Sequence, residues 1–214
     1  MNSDQKEILA RLKAEHPALC KLIPQVEEAF ALLKSAYDAG GKVMICGNGG
    51  SAADSEHIVG ELMKGFLKKR PIEGAQCAAF DALDGLPAGF ADKLQGALPA
   101  IALPCHTSLT SAYSNDVAAD MIFAQQVFGY GKLGDVLIAL STSGNSKNVV
   151  NAVWAAKAAR VKTIAITGEK ESALSELCDV CLRTPSHETY RVQEYTLPLY
   201  HALCALIEAE YFAE

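Results

Sequence analysis

The 214-residue chain has no basic surplus: 19 Lys and Arg stand against 25 Asp and Glu, giving a formal charge of −6 and an isoelectric point near 5.4. No basic stripe runs along it, so neither nucleic acid nor an anionic membrane surface is its expected partner. It also has no apolar run near the roughly 20 residues that span a bilayer. Met1 to Lys13 is charged and helical in pattern, without the apolar stretch of an export signal. The seven cysteines are odd in number and scattered through strand-like and helix-like segments. They read as reduced thiols of a cytoplasmic protein. Cys178-Asp179-Val180-Cys181 has C-x-x-C spacing but no second pair, and its apolar setting favours buried strand cysteines over zinc or redox chemistry. Internal repeats and low-complexity tails are absent as well. What remains is one domain, 1–214, long enough to bury a full α/β core.

What the chain does have is an alternation of short apolar runs and amphipathic segments. Residues 4–15 and 22–39 carry apolar positions at helical spacing, Ile23, Val26, Phe30, Leu33 and Tyr37 among them, and Ala39-Gly40-Gly41 stops the second helix. These N-terminal helices occupy 1–40. Strands are then expected at Val43–Cys46, Ala100–Leu103, Val136–Leu140, Thr163–Ile166 and Val180–Leu182. Helices are expected at Ala52–Phe66, Ala118–Phe128, Ser146–Ala159, Ser172–Leu177 and Thr189–Tyr211. Short all-apolar strands between helices indicate a doubly wound α/β fold, an approximately five-stranded parallel sheet flanked by helices, with ligands at the carboxyl ends of its strands. Residues 71–97 break this rhythm with Pro71, Pro87, Gly74, Gly85, Gly89 and Gly96. This irregular insertion, too long for an ordinary link, reads as a mobile cover near the site or as decoration, with a short helix at Gly89–Leu98.

Two loops each end a strand and open a helix: Gly47-Asn48-Gly49-Gly50-Ser51 and Ser141-Thr142-Ser143-Gly144-Asn145-Ser146. Such junctions present unpaired N–H groups and the positive end of a helix dipole, which suits a phosphate. A plain helix cap needs one hydroxyl, whereas the second loop offers four in six positions. Two such loops suggest a phosphorylated substrate gripped from both sides. Gly47-x-Gly49-x-x-Ala52 also fits the dinucleotide fingerprint, but the acidic residue expected about 20 positions on is replaced by basic Lys68-Lys69-Arg70-Pro71. His57 and Glu61 lie four apart, and Gln193 and His201 eight apart, so each pair shares a helical face.

These motifs carry a family resemblance covering Lys42 to Tyr211. Cys-Gly-Asn-Gly-Gly-Ser at 46–51, His57 with Glu61, Asn115-Asp116, Ser-Thr-Ser-Gly-Asn-Ser at 141–146 and Arg191-Val192-Gln193-Glu194 followed by His201 resemble the sugar isomerase (SIS) domain proteins, and within them the phosphoheptose isomerases. The resemblance implies a flavodoxin-like SIS fold and an aldose–ketose isomerase acting on sedoheptulose 7-phosphate through an enediol. It assigns the acid/base roles to Glu61 and His201. Substrate contacts fall to Asn48, Gly49, Gly50, Ser51, Asn115, Asp116, Ser141, Thr142, Ser143, Ser146 and Gln193. It also tips the balance towards zinc on His57, Glu61, Gln193 and His201, ligand types that zinc accepts, and points to a homotetramer with sites at subunit boundaries. Two positions depart from the family: Gly65 replaces an arginine and Tyr190 an aspartate, with Glu188 nearby. The rival is a non-catalytic SIS module, a sugar-phosphate regulator or a tetrameric scaffold, but such relatives lack the glutamate–histidine pair.

Overall fold

Every residue of β1 (Val43–Cys46) and β3 (Val136–Leu140) is buried, which only a sheet covered on both faces allows. The computed structural model describes residues 1–212. With β2 (Ala100–Ala102), β4 (Lys162–Thr167) and β5 (Val180–Arg183), these strands form one parallel sheet of order β2-β1-β3-β4-β5. Alternate side chains sort onto the two faces. Val43, Ile45, Val136, Ile138, Leu140, Ile164, Ile166, Val180 and Leu182 meet one set of helices: α1 (Ser3–Glu15), α2 (Ile23–Asp38), α3 (Gly50–Met63) and α9 (Thr189–Tyr211). Met44, Cys46, Leu137, Ala139 and Ala165 meet α6 (Ile122–Tyr130), α7 (Lys147–Ala158) and α8 (Ala173–Leu177) on the other. The expected doubly wound α/β sheet is what forms.

Two stretches differ from expectation. The helix expected over Ala118–Phe128 starts only at Ile122, after α5 (Thr107–Tyr113), a π turn at Ser114–Ala118 and a 3₁₀ turn at Ala119–Met121. The hydroxyl-rich run Thr107-Ser108-Leu109-Thr110-Ser111 has little intrinsic helix preference, so α5 left no periodic signal. The insertion is also less irregular than expected. It contains α4 (Ala75–Asp81), while the helix expected at Gly89–Leu98 is reduced to a 3₁₀ turn, Ala91–Lys93.

The ends of the insertion are pinched together beside the C-terminus of α3. Pro71 bridges Gln95, Gly96 N–H donates to the Arg70 carbonyl at 2.7 Å, and Leu98 N–H to the Leu62 carbonyl at 3.0 Å. The chain then enters β2 at Ala100. Because α3 leaves the carboxyl end of β1 and runs back along the sheet, the insertion is rooted at the amino end. That is the end opposite the serine-rich loop, so its roots do not flank that loop as a cover within one chain would.

Candidate active site

Strand order reverses between β1 and β3, whose outgoing chains turn to opposite faces of the sheet. This switch point opens a crevice at the carboxyl ends. Both expected loops lie there. Asn48 in the first loop and Asn148 in α7 exchange reciprocal amide hydrogen bonds of 2.9 and 2.8 Å, joining the two sides. Gly49 adopts φ +57°, ψ −120°, a conformation that disfavours a side chain, and the buried Ser51 follows. Across the crevice, Ser141 and Ser146 hydroxyls pair at 2.9 Å. Ser146 occupies the N-cap position of α7, yet no side-chain hydrogen bond caps that helix or α3. The hydroxyls therefore do not serve the capping role that would explain a single serine, and two helix N-termini face the crevice with first-turn amides suited to an anion. Ser143 Oγ accepts from Asn145 N–H at 3.2 Å, and the Asn145 side chain accepts from Ala173 N–H at 3.0 Å, which anchors the loop to α8.

Farther along α3, the one-face spacing brings His57 and Glu61 into contact, with Nε2 to Oε1 3.2 Å. Packing of α9 on α3 adds His201, whose ring meets His57 edge-on at 5.0 Å between centroids. Tyr200 is 1 % exposed; its hydroxyl lies 2.9 Å from His57 Nδ1 and donates to Asp54 Oδ1 at 3.3 Å. Glu61 Oε2 and His201 Nε2 are buried without a hydrogen-bond partner. Lys64 Nζ is the nearest cation to Oε2, at 3.5 Å. Burial first, and His57 second, hold the His201 imidazole below its ordinary pKa against the opposing pull of Glu61. Burial likewise raises Asp54, opposed by the Tyr200 hydrogen bond. A largely buried carboxylate and a neutral-leaning imidazole side by side are competent for proton transfer.

The expected residues are thus not all in one place. Gln193 lies earlier on α9 with its amide against Gly50: a Cβ added at Gly50 would stand 2.5 Å from Gln193 Nε2. It joins the loop end of the crevice rather than the His57–Glu61–His201 cluster. Among the described residues, no three His, Cys, Asp or Glu side chains close on a common metal point. Asn115 and Asp116 are exposed on the π turn, bonded to each other at 2.8 Å, and hydrogen-bond to neither loop. Tyr190 is exposed beneath the Arg191 guanidinium. Gly65 has no room for a longer side chain, since an added Cβ would stand 2.5 Å from the Lys68 carbonyl oxygen. Its N–H donates to Gln95 of the insertion.

Four residues given no role at the site by the sequence reading support the cluster: Asp54, Tyr200, Arg70 and Glu208. Arg70 and Glu208, both buried, pair at 2.8 Å. The Arg70 guanidinium also donates to the carbonyls of Leu62 and Glu61, and Glu208 accepts from the N–H groups of Phe66, Leu67 and Lys68. This clamp fixes the end of α3 on which Glu61 stands. Its sequence signal was a lone glutamate on the apolar face of the last helix.

SIS domain models match residues 18–88 and 105–207. The chain is 40 % identical over 185 residues to the phosphoheptose isomerase of Rhodospirillum rubrum, covering 86 % of this chain and 85 % of that protein. It superimposes on phosphoheptose isomerase GmhA of Neisseria gonorrhoeae with a TM-score of 0.69 at 33 % identity, over 92 % and 91 % of the two chains. The Francisella tularensis phosphoheptose isomerase gives 0.72 at 29 % identity, over 98 % and 100 %.

Proposed function

The chain belongs to the phosphoheptose isomerases of the SIS domain family, and on that premise we propose that it interconverts sedoheptulose 7-phosphate and D-glycero-D-manno-heptose 7-phosphate. The observation that carries this reading is the juxtaposition of Glu61 and His201, each with a buried polar atom that has no hydrogen-bond partner, on helices α3 and α9, in a chain that also places two phosphate-type loops at the carboxyl ends of β1 and β3. An extended seven-carbon phosphate matches that layout, with its anion held far from the reacting carbons.

In the reaction, one member of the Glu61–His201 pair takes a proton from C1 of the ketose while the other gives a proton to the C2 oxygen, forming the enediol. Delivery of a proton to C2 and loss of the proton on O1 completes the aldose. Ser51, Ser141, Thr142, Ser143 and Ser146 hold the phosphate, and Asn48, Gly49, Gly50, Asn115, Asp116 and Gln193 contact the sugar. Zinc is the cofactor of this reading. The donor types of His57, Glu61, Gln193 and His201 are ones zinc accepts, and these residues would hold it. As placed, however, the His and Glu side chains do not close on a common metal point and Gln193 stands apart against Gly50. When bound, it would polarise substrate oxygens.

A homotetramer with sites at subunit boundaries accords with two features. His57 is solvent-accessible, and a groove of about 300 Å³ beside His201 is lined by apolar side chains of α1 and α9, including Leu12, Leu197 and Ala202. Seven free cysteines accord with the cytoplasm. Among the described residues no helix is long and apolar enough to cross a membrane. Purified protein given sedoheptulose 7-phosphate should form the aldose by NMR, and Glu61→Gln should abolish turnover while retaining ligand binding. Binding without turnover in the wild type would favour the regulator instead.

A further inference from the structure

We propose that Asn148 is a positioning residue for the sugar-phosphate site: acting through Asn48, it fixes the sense in which the first loop's amide meets a bound ligand. Resting on the sugar-phosphate reading of the crevice, this assignment adds a residue that neither loop contains. Asn148 stands half-buried in the first turn of α7, and its carboxamide reaches across the switch point to Asn48. Asn48 Nδ2 donates to Asn148 Oδ1 at 2.9 Å, and Asn148 Nδ2 donates to Asn48 Oδ1 at 2.8 Å. Among the described residues, neither amide has another hydrogen-bond partner. The neighbouring Lys147 is engaged elsewhere, its Nζ 2.6 Å from Asp120 Oδ2.

A carboxamide has two N–H donors and an oxygen with two lone pairs. The reciprocal pair uses one donor and one acceptor site of each side chain, so Asn48 keeps one N–H and one lone pair for a ligand. The pair also locks the two amides to one sense. Turning Asn48 over alone would set NH₂ against NH₂ and oxygen against oxygen, losing both bonds and opposing like dipoles. A ketose carbonyl or a phosphate oxygen only accepts, so a reversed Asn48 would meet it with its own oxygen. Asn48 itself is exposed between Gly47 and Gly49, where local packing does not restrain its side chain. Gln193 holds the same loop from another side, its amide lying where a Gly50 Cβ would stand. An amide oriented before the ligand arrives removes that ordering cost from binding. Asn48 and Asn148 lie 100 residues apart in the chain, so no local spacing marks the second of them.

The test is a double-mutant cycle on sedoheptulose 7-phosphate binding, read by calorimetry in the Glu61→Gln background so that the ligand is not turned over. Its corners are that parent, Asn48→Ala, Asn148→Ala and both changes together. Asn148→Ala keeps the backbone amides of α7 and places a better helix former in its first turn, so Tm should stay within about 2 °C of the parent. Affinity should fall about 5-fold. Once Asn48→Ala is present, Asn148→Ala should cost less than about 2-fold more, because its effect passes through Asn48. With Glu61 intact, Asn148→Ala should raise KM by the same factor and leave kcat unchanged, the mark of binding lost equally from ground and transition states. Unchanged affinity in Asn148→Ala overturns the proposal, as does a full further 5-fold loss in the double variant. Should Asn148→Ala fail to fold, the ligand-free wild type decides: the side-chain NH₂ protons of Asn48 and Asn148 should show a mutual NOE, and its absence overturns the pairing. Turnover without coupling would keep the isomerase reading and remove this inference. Coupling without turnover would do the reverse, and a parent that binds no sugar phosphate would remove both.

Discussion

Arg70→Met would test the buried clamp directly. The Arg70 side chain is 0 % exposed; its Nε lies 2.8 Å from Glu208 Oε1, and its Nη atoms donate to the carbonyls of Leu62 at 2.7 Å and Glu61 at 3.0 Å. Methionine removes the charge and all three donors, leaving an anionic Glu208 in the core with its three backbone N–H donors. Breaking a buried pair from one side costs about 3–5 kcal/mol. For a domain of this size each kcal/mol shifts Tm by about 2–4 °C, so a fall of about 6–20 °C is expected by calorimetry. The double variant Arg70→Met/Glu208→Leu sharpens the point. Two charges that met only each other could be replaced by apolar residues at little cost. Here four backbone groups lose their partner, the N–H groups of Phe66, Leu67 and Lys68 and the carbonyl of Glu61, while the Leu62 carbonyl keeps Leu98 N–H. Each group left unpaired in the interior costs about 1–3 kcal/mol, so the double variant should not recover. Because the clamp holds the Glu61 backbone, the single variant should lower kcat more than it changes KM. A Tm within 2 °C of wild type for Arg70→Met, or wild-type stability in the double variant, would refute this reasoning.

Further outcomes follow from the crevice and its surroundings. Ser143→Ala should weaken sugar-phosphate binding by about 1–2 kcal/mol, and thermal stabilisation by the ligand that persists in the Ser141/Ser143/Ser146 triple alanine variant would remove the phosphate assignment. Elemental analysis of protein prepared without chelator should find stoichiometric zinc that His57→Ala loses; full activity in EDTA with no metal present would leave only acid/base chemistry. Light scattering should return four times the chain mass, and a monomer of 22.8 kDa at micromolar concentration would contradict the assembly. For Asp179, burial alone would raise the carboxyl pKa, but hydrogen bonds from Lys162 and Thr163 outweigh it and the net shift is downward from 3.8. The native carboxylate therefore resists protonation longer than the unfolded one, and its stabilisation is present above the unfolded pKa and lost as pH falls below about 3.8 towards the native value. Asp179→Asn should flatten that part of the stability–pH curve relative to wild type, and identical slopes would rule the contribution out.

Several features were legible in the chain because their signals are local. β1, β3 and the last helix fall at the expected residues, since an all-apolar run of four or five residues between helices has little other use in a parallel sheet. The two loops were readable for the same reason: glycines and hydroxyls follow strands whose ends are unmistakable. His57 and Glu61 share a face by helical arithmetic, and the structure puts them in contact. The insertion was visible as a break in rhythm, but not as a segment rooted at the amino end of the sheet, because its roots are long-range hydrogen bonds to Arg70 and Leu62.

By itself the sequence determined the fold class, the two crevice loops and which residues could act as acid, base or ligand, since these depend on periodicity and on side-chain chemistry within a few residues. Only the tertiary structure decided which of them meet. The rotation of α9 against α3 sets Tyr200 and His201 on His57, leaves Gln193 against Gly50, and buries Glu208 where Arg70 can reach it. That rotation is fixed by the summed packing of two apolar helix faces over the sheet, a sum to which no short stretch of sequence gives access.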